Sequence, residues 1–201
     1  MGESMSVQNM MRLMASKVDE AADSISDNEV DGFIGEILDA PRIFVIGAGR
    51  SGLVAKTFAM RLMHLGMKAY VVGETITPAM EKHDLIIAFS GSGATKMVAE
   101  LCETARNIGG RIALVSSNRD SRIGKIADSV VVVESHRDQL PDDSADFGIG
   151  QITGDIHTSF APLGTLFETT ALVFADCTIS AIMDLLHCEE CDLKSRHANI
   201  E

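Results

Sequence analysis

Six consecutive residues, Ser90-Gly91-Ser92-Gly93-Ala94-Thr95, carry three hydroxyls and two glycines, a composition suited to binding an oxyanion. The glycines let the backbone approach a ligand closely, and each hydroxyl can donate to a phosphate oxygen. The flanks agree with this. Leu85 to Phe89 is a continuous apolar run of the kind a parallel sheet covered on both faces demands, and Met97, Val98, Leu101, Cys102 and Ala105 recur at helical spacing. The loop therefore ends where a helix begins, with unpaired backbone N–H groups facing outward. No Gly-Lys-Ser/Thr follows four variable residues after the first glycine, so this is not a Walker loop. A plain Gly/Ser turn capped by a serine would leave three hydroxyls in six residues unexplained.

A second candidate anion loop lies upstream. Gly47-Ala48-Gly49-Arg50-Ser51-Gly52 spells a literal dinucleotide fingerprint, and Glu74 stands just past the next apolar run, where a ribose-binding acid belongs. A dinucleotide whose pyrophosphate sits at Gly47 has no use for the richer loop at Ser90 to Thr95, and 201 residues leave little chain for a hydride-transfer domain. A sugar phosphate lying across both loops uses both.

Proton transfer needs a base, and Glu168 suits the role. It falls in the first helical turn after Pro162-Leu163-Gly164, beside Leu166 and Phe167, an apolar setting that favours general base work. Its ordinary role would be that of an acid favoured by the helix dipole. His64 lies thirteen residues past Ser51 on one helical pattern, roughly 20 Å along the axis. It either acts in a neighbouring subunit's site or is structural. His187-Cys188-Glu189-Glu190-Cys191, with His197 nearby, could ligate zinc, but without a second Cys-x-x-Cys the pattern favours reduced surface thiols and no metal. Cys102 and Cys177 sit in apolar helical patterns and read as core.

These loops need strands to carry them. Arg42 to Ile46, Ala69 to Val72, Leu85 to Phe89, Ile112 to Val115 and Val130 to Val133 read as five strands, with helical segments between at least three of the pairs. The expected fold class is α/β: a five-stranded parallel sheet flanked by helices on both faces, with right-handed crossovers. Ligands then gather at the carboxyl ends of the strands, where Ser51, Ser90 and Ser116-Ser117 fall. Two amphipathic helices, Val7 to Ile25 and Asn28 to Leu38, form a preface whose methionine-rich faces need a cover on this domain or on a neighbouring subunit. The polar stretch from His136 to Ser159 reads as a long loop with a functional or mobile role, His136 and His157 within it. An apolar helix follows from Thr165 to Leu186, and then a polar tail from Lys194 to Glu201 that frays unless it docks. One domain accommodates all of this, with a preface (1–40), a core (41–186) and a tail (187–201).

The net charge of −12 argues against nucleic acid as partner, since phosphate backbones are bound through clusters of Lys and Arg. An anionic small molecule must then be held by local amides and hydroxyls rather than a broad positive field. No apolar run reads as long enough to span a bilayer and no secretory signal is visible, so the expected location is cytoplasmic. Met1-Gly2 with Ser6 matches a myristoylation pattern without a second membrane signal, and chance explains it.

Taken in order, Gly-Ala-Gly-Arg-Ser after the first strand and Ser-Gly-Ser-Gly-Ala-Thr after the third resemble the sugar isomerase (SIS) family of phosphosugar-binding domains. Arg61-Leu62-Met63-His64-Leu65-Gly66, Val72-Gly73-Glu74-Thr75, Ala161-Pro162-Leu163-Gly164-Thr165-Leu166-Phe167-Glu168 and Arg196-His197-Ala198-Asn199-Ile200-Glu201 look like its 6-phospho-3-hexuloisomerase branch, although Ala94 stands where many members carry a carboxylate. The resemblance implies the SIS fold, a flavodoxin-like three-layer sandwich, and isomerisation between a 3-ketose phosphate and fructose 6-phosphate through a 2,3-enediol, without metal or nucleotide. It implies phosphate binding by Ser90, Gly91, Ser92, Gly93 and Thr95, and sugar contacts from Gly47, Gly49, Arg50 and Ser51. Glu168 becomes the base and His64 an acid from another subunit. Arg196 and His197 close over the ligand of a neighbour in a homo-oligomer with shared sites. A non-catalytic phosphosugar sensor is the alternative, and a nucleotide-dependent oxidoreductase a more distant one.

Overall fold

The computed structural model describes residues 6–134 and 165–200, and element counts refer to these. In chain order they form α1 (Val7–Ser24), α2 (Asp27–Asp39), β1 (Ile43–Gly47), α3 (Arg50–His64), β2 (Ala69–Val71), β3 (Leu85–Phe89), α4 (Lys96–Ile108), β4 (Arg111–Ser116), a 3-10 turn (Gly124–Ile126), β5 (Ser129–Val132), α5 (Thr165–Leu186) and α6 (Glu190–Ser195). The expected loop from His136 to Ser159, with His136 and His157, lies outside the described residues.

All strand pairs are parallel, in the order β2-β1-β3-β4-β5. Alternate residues of each strand enter opposite layers, as a period of two requires. Ile43, Val45, Leu85, Ile87, Phe89, Ala113, Val115 and Val131 pack under Phe33 and Ile37 of α2, Phe58 and Leu62 of α3, and Phe167 and Phe174 of α5. Phe44, Ile46, Ile86, Ala88, Ile112 and Leu114 pack on Val98, Ala99, Cys102 and Ala105 of α4. The sheet is thus covered on both faces, three helices on one side and one on the other.

Because β1 lies between β2 and β3, the chain leaves β1 in one direction and returns to its other side. The ends of β1 and β3 therefore form a topological switch point, where a crevice opens above an α/β sheet. The returning connection, residues 72–84, has no helix. The buried Asp84 anchors its end, accepting from Arg42 Nε (3.0 Å), Arg42 Nη2 (2.6 Å) and Glu81 N–H (2.7 Å). Two α-helices rather than three thus lie between consecutive strands, and the β4–β5 connection contains only the 3-10 turn.

Three further expectations need correction. The apolar α5 is, by length and composition, a helix that could cross a membrane, but Phe167, Thr170, Ala171, Phe174, Ala175, Thr178, Ile179 and Ile182 form one buried stripe on it, the pattern of a core helix. Cys177 falls between those positions and is exposed, whereas Cys102 is buried and its thiol is pushed up to about 12, chiefly by desolvation. The polar tail contains α6, whose start is closed by reciprocal bonds between Glu189 and Asp192, a capping box. Of the preface, α2 covers its own sheet through Phe33, Ile34 and Ile37, while α1 leaves Val7 and Met11 exposed.

Candidate active site

The turn from β1 into α3 is as tight as its glycines allow. A Cβ on Gly47 would lie 2.7 Å from the carbonyl carbon of Ser51, so no larger residue fits. Gly49 is the N-cap, with φ of 57°. The first turn of α3 therefore begins at Arg50, three residues earlier than the apolar pattern suggests, and carries Ser51 inward.

There it meets α5. Ser51 Oγ donates to Glu168 Oε1 at 3.4 Å, and Arg50 Nε lies 3.4 Å from Glu168 Oε2. The Glu168 side chain is 14 % exposed and that of Arg50 60 %. Glu168 Oε2 is shut off from solvent and has no hydrogen-bond partner, because Arg50 is at ion-pair distance without the alignment of a hydrogen bond. A half-satisfied buried carboxylate is costly, and such a cost is retained where the group has a further partner to meet.

The loop after β3 lies beside it. Phe167, next to Glu168, is buried against this loop: a Cβ on Gly91 would come within 3.1 Å of its ring. Burying that ring contributes roughly 1.5–3 kcal/mol and ties the start of α5 to the loop. Ser90 Oγ and Thr95 Oγ1 are 3.5 Å apart, and Ser92 Oγ accepts from Ala94 N–H at 3.3 Å. The first bond into α4 is Ala99 N–H to Thr95 O. The first-turn amides of α4 thus have no partner within the helix, and the helix dipole there favours an anion. Ser90, Gly91, Ser92, Gly93 and Thr95 and the group Gly47, Gly49, Arg50 and Ser51 stand at the adjacent ends of β3 and β1, with Glu168 reaching Ser51 and Arg50 from α5.

His64, Arg196 and His197 are brought together elsewhere. His64, 2 % exposed, ends α3 toward the other ends of the strands, roughly 20 Å from Ser51 by helix rise. His197 stacks on it with ring centroids 5.1 Å apart, and Arg196 Nη1 donates to His64 O at 3.0 Å. Burial, with the nearby charges of His197 and Arg61, holds His64 below its ordinary value. The tail is therefore docked on its own chain. Glu74 pairs with Lys56 at 2.5 Å. Cys188 packs against the core and Cys191 is exposed. Among the described residues no three His, Cys, Asp or Glu side chains gather as a metal set would.

The SIS domain model matches residues 36–140, about half of the chain and the part that carries both loops. The chain belongs to the SIS domain family. Among its relatives, the 3-hexulose-6-phosphate isomerase of Bacillus subtilis is 37% identical, the match covering 92% of this chain and 94% of that protein. The 3-hexulose-6-phosphate isomerase of Mycobacterium gastri is 35% identical, covering 97% and 92%. A solved structure from Methanococcus jannaschii, for which a function of 3-hexulose-6-phosphate isomerase is inferred, superposes with a TM-score of 0.79 at 34% identity, covering 95% of this chain and 98% of that one.

Two groups of residues at this SIS site escape a reading of the sequence alone. Ser116, Ser117, Ser121 and Ile123 hold the Ser90–Thr95 loop from behind, across 25 residues and more. Phe167 packs on Gly91 across a much longer stretch of chain. Only the Ser116-Ser117 pair at a strand end hinted at the first group.

Proposed function

We propose that this protein interconverts 6-phospho-3-hexulose and fructose 6-phosphate. The observation that carries the proposal is Glu168: a buried carboxylate with one oxygen unbonded, beside Ser51 and Arg50 and one residue from the ring packed on the phosphate-type loop. In this reading the phosphate sits at Ser90, Gly91, Ser92, Gly93 and Thr95, on the three hydroxyls and the loop amides that point outward, where the start of α4 favours negative charge. The sugar lies toward Gly47, Gly49, Arg50 and Ser51. Glu168 takes the proton from C2 of the 3-ketose as the C2–H electron pair forms the C2–C3 double bond. The 2,3-enediol then collapses to the 2-ketone as Glu168 returns a proton to C3, and a second group moves the hydroxyl proton from O2 to O3. Ser51 steadies Glu168, and Arg50 offsets the charge that develops on the enediol oxygens. The reaction needs neither metal nor nucleotide.

The same proposal includes a cytoplasmic homo-oligomer with no nucleic acid or membrane partner. Exposed apolar side chains on three helices support association: Val7 and Met11 on α1, Leu53, Met60 and Met63 on α3, and Leu172, Val173, Leu185 and Leu186 on α5. In such an assembly His64, with Arg196 and His197 beside it, serves a neighbour's site, His64 as the acid. The names carried by the relatives and the matching loops favour the isomerase.

A coupled assay for fructose 6-phosphate formed from the 3-ketose phosphate tests the proposal. Turnover that persists with a chelator and without nucleotide supports it. Sugar phosphate binding with no product would leave the chain a phosphosugar sensor.

A further inference from the structure

The phosphate-type loop has a back as well as a face, and the back is bonded to the end of β4 and the connection that follows it. Gly91 O accepts from Ser117 N–H at 3.1 Å and from the Ser116 hydroxyl at 3.2 Å. Gly93 O accepts from Ile123 N–H at 3.0 Å. Ser116 is fully buried, and its oxygen also accepts from Asn118 N–H at 3.1 Å, so one hydroxyl joins the end of β4 to the loop after β3. Beneath Gly93 lies Ser121, 5 % exposed, whose oxygen accepts from Gly124 N–H at 3.1 Å. It is so close that a Cβ on Gly93 would stand 2.0 Å from it.

Peptide geometry turns these bonds into a statement about the face. In a planar trans unit the C=O and the following N–H point in opposite directions. Pinning Gly91 O inward therefore turns Ser92 N–H outward, and pinning Gly93 O inward turns Ala94 N–H outward. Ser92 N–H, with the first-turn amides of α4, is the donor set that a phosphate would meet, while Ala94 N–H turns to Ser92 Oγ at 3.3 Å. Gly93, with φ of 62°, can adopt the required conformation where an L-residue would be strained. The loop's donor array is thus set from behind by the β4–β5 connection.

We propose that Ser116 is a positioning residue for the phosphate site. Its hydroxyl touches no ligand but fixes the Gly91–Ser92 peptide so that Ser92 N–H is presented to the phosphate. Ile123 N–H holds the Gly93–Ala94 peptide from the same side, with Ala94 N–H directed to Ser92 Oγ. The proposal rests on reading this loop as the phosphate site of a sugar-phosphate isomerase. A purely structural serine would affect stability alone, whereas a positioning serine affects phosphate affinity.

The test compares the wild-type protein with Ser116→Ala, Ser116→Cys and Ser116→Thr, using the 3-ketose phosphate as substrate and inorganic phosphate as competitive inhibitor. For S116A, KM and the phosphate inhibition constant should rise together by roughly five- to tenfold, the worth of one buried hydrogen bond, with the larger part of the loss in KM rather than kcat. S116C keeps the volume, weakens the donor and should give the same rise, which covers the case where S116A folds poorly. S116T retains the hydroxyl and should restore both constants toward wild type. Wild-type KM and phosphate inhibition in folded S116A and S116C would overturn the proposal, as would equal rises in S116T and S116A. A wild-type protein that binds no phosphate and turns over no ketose would instead overturn the functional reading beneath it.

Discussion

Replacing Glu168 by Gln should remove the proposed base while changing little else. The partners of Glu168 are the Ser51 hydroxyl and Arg50, each at 3.4 Å. The amide oxygen of Gln can still accept from Ser51. An ion pair with a guanidinium as exposed as that of Arg50 contributes at most about 1 kcal/mol, and loss of the unbonded Oε2 offsets part of that. The melting temperature should therefore move by no more than about 3 °C. Removing a general base lowers turnover by roughly 10² to 10⁴, or about 3 to 5 kcal/mol on the activation barrier. The catalytic effect thus exceeds the stability effect several-fold. The coupled fructose 6-phosphate assay gives kcat and KM, and phosphate inhibition reports whether the loop is intact. A folded E168Q protein with kcat within tenfold of wild type would refute Glu168 as the base.

Three other perturbations probe the rest of the molecule. Burial, then His197 and Arg61, hold His64 below its ordinary value, so the folded state prefers the neutral ring. This stability is complete above the unfolded value near 6.5 and is lost as pH falls below it. Urea unfolding from pH 8 to pH 5 should show an acid limb that His64→Gln flattens, and an unchanged limb would remove His64 as its source. Gly93→Ala places a Cβ against Ser121 at a positive φ, which should cost about 2–4 kcal/mol. Adding Ser121→Gly should restore part of this in denaturant melts, and no restoration would contradict the packing. Deleting residues 195–201 removes the Arg196 bond to His64 O and the His197 stack. It should lower turnover strongly and stability by only about 1–2 kcal/mol; full activity would remove the tail from the shared site.

The parts of this structure that can be read from the sequence are local. Ser90 to Thr95 announces itself because hydroxyls, glycines and the onset of a helical period coincide within a few residues. Glu168 is conspicuous for the same reason, as an acid in the first turn of an apolar helix. The strand order is another matter, since nothing in residues 72–84 says on which side of β1 the chain returns. Only that order puts Gly47 and Ser90 at one crevice. Long-range contacts were equally hidden: Ser51 meets Glu168 across 117 residues, and Ser121 lies under Gly93 with no periodicity to mark it. Cys177 misleads because α5 is apolar nearly all round, so composition does not distinguish its buried stripe from its exposed side. The capping residues of α6 are polar and short-range, and they merge into a tail that otherwise reads as irregular.

If Glu168 moves a proton between adjacent carbons of a phosphorylated ketose, as proposed, hydrogen exchange into the sugar reveals it. Incubating the protein with fructose 6-phosphate in D₂O and following the C3 proton by NMR reports each passage through the enediol, since the carboxyl that holds the abstracted proton can exchange it with solvent. Deuterium should enter at C3 while the 3-ketose forms, and E168Q should suppress both. Ketose formation by the wild-type protein with C3 still fully protonated at equilibrium, or undiminished exchange in E168Q, would contradict the proposal.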